Sequence, residues 1–231
     1  MEILGVIPAR GGSKGIPNKN IIDLCGKPLI AWSIETGQKL MENGTLARCI
    51  VSTDSNKIAR IAKENGGDVP FIRPLNASTD KSKSIEFVIH ALSELEDERK
   101  FFDAVMILQP TNPIRNYKEI SKIVDKFAVS GSESLISCYE EEYINELVMY
   151  KKNKDNTLSP LNINHNKGVR RQQHEKILIR NGSLYVTKKE YLVKTKNIVC
   201  DNPYMYKMEK IKSTAIDNLD DLKLIRMLLC K

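Results

Sequence analysis

Much that would narrow the field quickly is missing from this sequence. No stretch approaches the 18 or so consecutive apolar residues of a membrane span. No basic segment precedes the first apolar residues, Met1–Gly5, as it would in a secretory signal. There is no fixed-period repeat and no low-complexity tract. Five cysteines, at 25, 49, 138, 200 and 230, form neither a CxxC pair nor a small-domain disulfide framework. Their odd count fits reduced, packed thiols, none of them a metal ligand. Histidine is scarce too: His90 lies on an apolar helical face and reads as a packed side chain, while His165 and His174 do not make a zinc pattern. These absences leave a single soluble, cytoplasmic chain as the expectation.

What is present supports one core of ordinary size. Of 231 residues, 41% are hydrophobic and 28% charged, which excludes global disorder. The formal charge of +7 is unevenly spread. Between Lys151 and Lys196 twelve Lys/Arg face three Asp/Glu, an excess of +9, so the remainder is close to neutral at −2. Many of those lysines suit an ordinary solvated surface; the cluster as a whole suits an anion. Tyr185, Tyr191, Tyr204 and Tyr206 interleave with lysines in the manner of a base-stacking surface, but no nucleic-acid motif accompanies them, and Tyr185 lies in a strand-like segment. Nucleic acid is therefore not expected as a partner, nor is a membrane.

The hydrophobic pattern alternates strand and helix. Leu4–Pro8, Arg48–Ser52 and Ala104–Leu108 read as buried strands; Leu29–Met41, Asp54–Asn65, Ser84–Leu95 and Tyr117–Phe127 read as helices. Leu135–Ser137 is a brief strand, Asn181–Thr187 a further one, and Asn218–Leu229 a final amphipathic helix. The order predicts an α/β fold with a Rossmann-like, mainly parallel sheet flanked by helices. Residues 1–231 form one domain, and the polar texture of about 138–179, with a turn at Asn153–Asn156, marks an inserted lobe.

The sharpest local feature follows the first strand. Arg10, Lys14 and Lys19 interleave with Gly11, Gly12 and Gly15 in ARGGSKGIPNKN. Ligands of parallel sheets bind beyond the carboxyl ends of strands. Glycines there leave amide N–H groups uncovered, and the basic side chains add full charge, a combination suited to polyphosphate. The segment is neither GxGxxG nor GxxxxGK[ST]. Residues alone thus give a phosphate loop of an α/β enzyme. Gln109, at the end of its strand and held by Pro110 and Pro113, can present a donor and an acceptor to a base. Asp54 can cap the helix it opens, and Asp80 the helix containing Ser84. Arg115 can touch a phosphate or orient its loop.

At this point IPARGGSKGIPNKN, CGKPLIAWSI, VSTDSNKIA, VPFIRP, STD, ILQPTNPIR, RRQQ, RNGSLYVT and IDNLDDL, in this order, resemble the CMP–sialic acid synthetases. This family of acylneuraminate cytidylyltransferases includes synthetases for bacterial sialic-acid-like nonulosonic acids. The resemblance implies transfer of CMP from CTP to the anomeric hydroxyl of a carboxylated nine-carbon sugar, with release of pyrophosphate and assistance from Mg²⁺. By the same resemblance Arg10, Lys19 and Asp217 carry catalysis. Arg10, Gly11, Gly12, Ser13, Lys14, Lys19, Asn20, Ser84 and Gln109 hold the nucleotide, and Gln109, Arg171, Arg180 and Asn181 meet the sugar. Asp217 is the magnesium ligand, and the lobe is a dimerisation region, implying a homodimer.

Four departures from the family pattern stand out. Ala215 occupies the first position of an expected Asp-x-Asp pair, Asn112 stands where Ser is frequent, Asn145 replaces a lysine, and His174–Glu175 replaces Leu-Pro. Asp220 and Asp221 read as helix-start carboxylates. Ala215 keeps two other readings open: a related sugar nucleotidylyltransferase, or a nucleotide-responsive binding protein without chemistry.

Overall fold

A computed structural model describes residues 1–13, 15–79, 82–96, 101–142, 146–167 and 176–230, with the backbone alone at Glu96. The first strand, β1 (Ile3–Pro8), is apolar on both faces, as a strand covered on both sides must be. Ile3 and Ile7 point into one core and Leu4 and Val6 into another, the two-residue alternation of a pleated strand. A short hairpin, β2 (Asp23–Leu24) and β3 (Lys27–Pro28), leads into α1 (Leu29–Glu42). Then come β4 (Arg48–Ser52), α2 (Asn56–Glu64), α3 (Ser84–Glu96), β5 (Ala104–Leu108) and α4 (Tyr117–Val129). The chain continues through β6 (Ser134–Glu141), β7 (Tyr150–Lys152), β8 (Leu158–Pro160), β9 (Ile177–Lys188), α5 (Lys189–Thr195), β10 (Tyr204–Met208) and α6 (Leu219–Leu229).

Six strands form the main sheet in the order β10-β6-β9-β5-β1-β4. β1 runs parallel to β4 and β5, and β10 parallel to β6, but β9 is antiparallel to both of its neighbours. The sheet is therefore mixed: five of its six strands run one way and β9 alone runs against them. β6 leads to β9 through a long excursion whose described residues contain no α-helix to carry a parallel crossover, and β9 enters the sheet antiparallel between β5 and β6. The same pairing shortens the expected lobe. Cys138 pairs with Arg180 and Tyr139 with Ile179 inside the sheet, so the excursion proper is 142–176. Within it β7 and β8 form a small antiparallel hairpin around the turn expected at Asn153–Asn156, where Asn156 takes a φ of 66°.

Helices α1, α2 and α4 cover one face of the sheet, with Phe127 fully buried, while α3 and α5 cover the other. A third apolar cluster of Ile16, Leu24, Leu29, Ile216, Leu222 and Ile225 seats α6 on the β2–β3 hairpin. Cys49 and Cys138 are buried as expected, and burial pushes the Cys49 thiol up to about 12. Cys25 and Cys230 depart from expectation: they are joined in a disulfide across 205 positions, with their Cα atoms 5.2 Å apart. Folding α6 back onto the hairpin brings these thiols together, a tertiary proximity that cysteine spacing does not encode.

Candidate functional site

The carboxyl ends of β1 and β5 open on one cavity of about 400 Å³. Arg10, Ser13, Gly15, Lys19, Asn20, Arg73, Ser84, Gln109 and Asp217 are among its lining residues. The glycine-rich segment leaves β1 with Ala9 N–H donating to the Ser52 carbonyl at 2.9 Å. Gly11 N–H then donates to Asp54 Oδ1 at 2.8 Å. Asp54 is thus not the helix cap. Ser55 takes that role, its hydroxyl accepting from Ile58 N–H, and the freed carboxylate pins the loop. Further along, the buried Asn20 amide donates to the Arg10 carbonyl at 3.0 Å and ties the loop's two ends together.

The Asp217 segment closes the opposite side. Ile216 N–H donates to the Thr111 carbonyl at 2.8 Å, which lays this segment beside the loop after β5. Lys19 Nζ donates to both the Ile216 carbonyl and Asp217 Oδ1, each at 2.9 Å. The Lys19 side chain is only 14% exposed, whereas that of Asp217 is 72% exposed, so the carboxylate stands at the rim and the ammonium beneath it. Gly15 packs so close that a Cβ there would sit 2.3 Å from the Asp217 carbonyl oxygen. Asn218 caps α6 in a reciprocal box with Asp221, and Asp220 pairs with Lys223, so both acids serve the helix start as expected.

Arg73 is the residue that the sequence reading missed. It is 3% exposed and lines the cavity, with Nε donating to Ser78 Oγ at 2.9 Å and its guanidinium 5.5 Å from the centroid of the Phe87 ring. Burial draws its pKa below the ordinary arginine value, the nearby Arg10 charge adds to that, and Asp54 opposes it. The available signal was an arginine between Ile72 and Pro74, just ahead of the STD turn. Among the described residues, Arg73 with Arg10, Lys19 and Lys83 gives the cavity four cationic side chains against the single carboxylate of Asp217. That balance suits a polyanion.

Ser84 and Gln109 also line a second chamber of about 170 Å³, together with Arg180 and Tyr185. Arg180 lies over the Tyr185 ring at 5.8 Å. Asn181 lines neither chamber. Its Nδ2 donates to Ser213 Oγ at 2.8 Å, and its Oδ1 accepts from Ser137 Oγ at 2.6 Å and Ser183 N–H at 3.0 Å. This amide joins β9, β6 and the segment before α6. Gly11 and Gly12 shape the loop without lining the cavity. Lys14, Asp80, Asn145, Arg171, His174 and Glu175 lie outside the described residues.

Among the described residues no group of three or more His, Cys, Asp or Glu could hold a metal ion, and no helix is long and apolar enough to cross a membrane. Among the described residues Asp217 alone offers a carboxylate to the cavity, and the Ala215 side chain adds no ligand. Such a site fits a Mg²⁺ that takes its other ligands from phosphate oxygens and water, as Mg²⁺ commonly does, and does not fit an all-protein cage.

Compared with known proteins, residues 4–230 match the family model described as Cytidylyltransferase. The chain is 34% identical over 226 residues to the pseudaminic acid cytidylyltransferase of Campylobacter jejuni (strain 81-176), covering 92% of this chain and 95% of that one. It is 42% identical over 137 residues to the CMP-N,N'-diacetyllegionaminic acid synthase of Legionella pneumophila, covering 59% of this chain and 57% of that one. Among solved structures, a CMP:2-keto-3-deoxy-manno-octonic acid synthetase complexed with CTP superposes with a TM-score of 0.72 at 16% identity, covering 99% of this chain and 98% of that one. The last likeness speaks for the fold alone.

Proposed function

Since the chain belongs to the cytidylyltransferase family over nearly its whole length, we propose that it transfers CMP from CTP to the anomeric hydroxyl of a sialic-acid-like nonulosonic acid. The observation that carries this reading is the convergence of Arg10, Lys19, Arg73 and Asp217 on one cavity that shares Ser84 and Gln109 in its lining with a second, smaller one. The larger chamber suits the nucleotide and the smaller one the sugar. Arg180, exposed at its edge, is suited to a sugar carboxylate, and Arg171 takes the same role in this reading.

In the reaction the anomeric hydroxyl oxygen forms a bond to the α-phosphorus and releases its proton to solvent, as the bond from the α-phosphorus to the α–β bridging oxygen breaks. Negative charge grows on the departing pyrophosphate. Fixed cations facing that charge in a site that excludes water stabilise the transition state more than they would in bulk solvent. Arg10 and Lys19 supply it, and Lys14 supports them. Lys19 is held in place before substrate arrives by the Ile216 carbonyl. Arg73, buried beside Phe87, adds a further fixed cation to this cavity. Asp217 would hold Mg²⁺ on the phosphate side; when bound, the ion further offsets charge on the leaving group.

We also read the chain as a cytoplasmic homodimer. The 142–176 excursion exposes Val148, Leu158 and Ile163, apolar side chains that a second copy would cover.

Pyrophosphate release measured with each of the four nucleoside triphosphates against a panel of nonulosonic acids tests the reading. Turnover is expected with CTP and at least one such acid, to depend on Mg²⁺, and to fall sharply in Asp217→Asn. Folded, CTP-binding protein that releases no pyrophosphate with any acid would refute it. Metal-dependent turnover unchanged in Asp217→Asn would remove Asp217 as the metal ligand.

A further inference from the structure

Arg115 sits in an unusual environment for a cation. It follows the proline-rich loop after β5, immediately before Asn116, which caps α4. Its guanidinium reaches three separate elements. Nη1 donates to Ser33 Oγ of α1 at 3.0 Å. Nε and Nη2 donate to the Ser183 carbonyl of β9 at 3.1 and 2.8 Å. Nη2 also donates to the Gln109 carbonyl. Ser33 and Ser183 are themselves buried.

Among the described residues no carboxylate pairs with this guanidinium, and burial pulls its pKa down to about 9, with Tyr206 opposing. A half-buried cation held on two carbonyl oxygens and a hydroxyl, with no opposite charge, is costly to keep. What the arrangement provides is geometry. The planar fork fixes the backbone of Gln109 against β9 and α1, and Gln109 is one of the two side chains lining both chambers. A lysine could supply the charge but not the fork.

We infer that Arg115 is a positioning residue: by clamping the Gln109 carbonyl to Ser183 and Ser33, it sets the Gln109 side chain between the nucleotide and sugar chambers. Arg115 itself lines neither chamber. The inference rests on the cytidylyltransferase reading for its consequence in turnover, but the clamp can also be read in CTP binding alone.

A double-mutant cycle decides the matter, because residues that act through one another give non-additive effects. Arg115→Lys, Gln109→Ala and the double variant are compared in kcat/KM for pyrophosphate release and in the Kd of CTP from titration calorimetry. Arg115→Lys is expected to lose on the order of 10²-fold in kcat/KM, the scale of a misplacement of about 1 Å. The double variant should then be no worse than Gln109→Ala. Coupling in either readout supports the inference. Additive losses in both, or a Gln109→Ala variant indistinguishable from wild type in both, overturn it. A merely structural arginine would lower the melting temperature yet add independently to Gln109→Ala. If Arg115→Lys does not fold, the same cycle run with Ser33→Ala, which removes one acceptor of the clamp, decides it by the same criteria. Absence of turnover in the wild type would refute the functional reading, leaving the CTP-binding cycle to judge Arg115.

Discussion

The packing of Gly15 against Asp217 makes a quantitative prediction. Replacing Gly15 by alanine puts a Cβ 2.3 Å from a backbone carbonyl oxygen, whereas ordinary contacts begin at 3.4 Å. The obstacle is backbone, so no side-chain rotation relieves it, and the two segments must separate by roughly 1 Å. Overpacking of this kind costs about 1–3 kcal/mol. For a chain of this size that corresponds to a melting temperature lower by about 2–12 °C. The displaced segment carries both acceptors of Lys19 Nζ, so turnover at saturating CTP and sugar should fall by on the order of 10²-fold. Gly12→Ala is the control for folding, because a Cβ at Gly12 meets nothing within 4 Å. Thermal melts of both variants, with initial rates of pyrophosphate release for Gly15→Ala, form the assay. A Gly15→Ala protein with wild-type melting and turnover would refute the reasoning, as would a Gly12→Ala protein destabilised equally.

Two further outcomes follow from features away from the cavity. Breaking the Cys25–Cys230 link by reductant or by Cys230→Ser should cost about 2–4 kcal/mol in urea unfolding; coincident curves with and without reductant would show that the link does not stabilise the fold. The His90 imidazole is held below its ordinary pKa, first by burial and also by the Arg73 charge, with Glu94 opposing; Phe71 packs edge-on against it, and among the described residues its Nδ1 has no hydrogen-bond partner. The unfolded chain therefore takes up the proton more readily, and stability should drop as pH falls through about 6.5. His90→Gln should flatten that slope between pH 7.5 and 5.5 in thermal melts; an unchanged slope would discount His90.

The legible parts of the sequence were those where one physical signal acts alone. β1, β4 and β5 are short apolar runs covered on both faces, and their bounds emerge almost residue for residue. β9 was read only from Asn181, because in Ile177–Arg180 half-buried and exposed residues alternate, and only pairing with β6 makes them a strand. α5 is a seven-residue, lysine-rich helix whose burial rests on Leu192. β10 likewise buries only Tyr206 and Met208. At the site, the glycine-rich loop announced itself through composition, but Asp54 and Ser55 are adjacent and both suit an N-cap, so local chemistry could not divide the roles. Asn181 was visible as a polar corner residue; that its amide is spent on Ser137 and Ser213 depends on elements far away in sequence.

The covalent link between Cys25 and Cys230 gives the molecule a different connectivity from its sequence. Residues 25–230 form a ring closed through the two cysteine side chains, while residues 1–24, with β1, the glycine-rich loop and β2, lie outside it. A single cut anywhere on that ring opens it without releasing a piece. The exposed β7–β8 excursion is where a protease would reach the ring first. A clipped molecule would therefore migrate as one chain on a non-reducing gel and as two after reduction. Its two halves would remain tethered beside the same cavity, where the sheet could hold them in register.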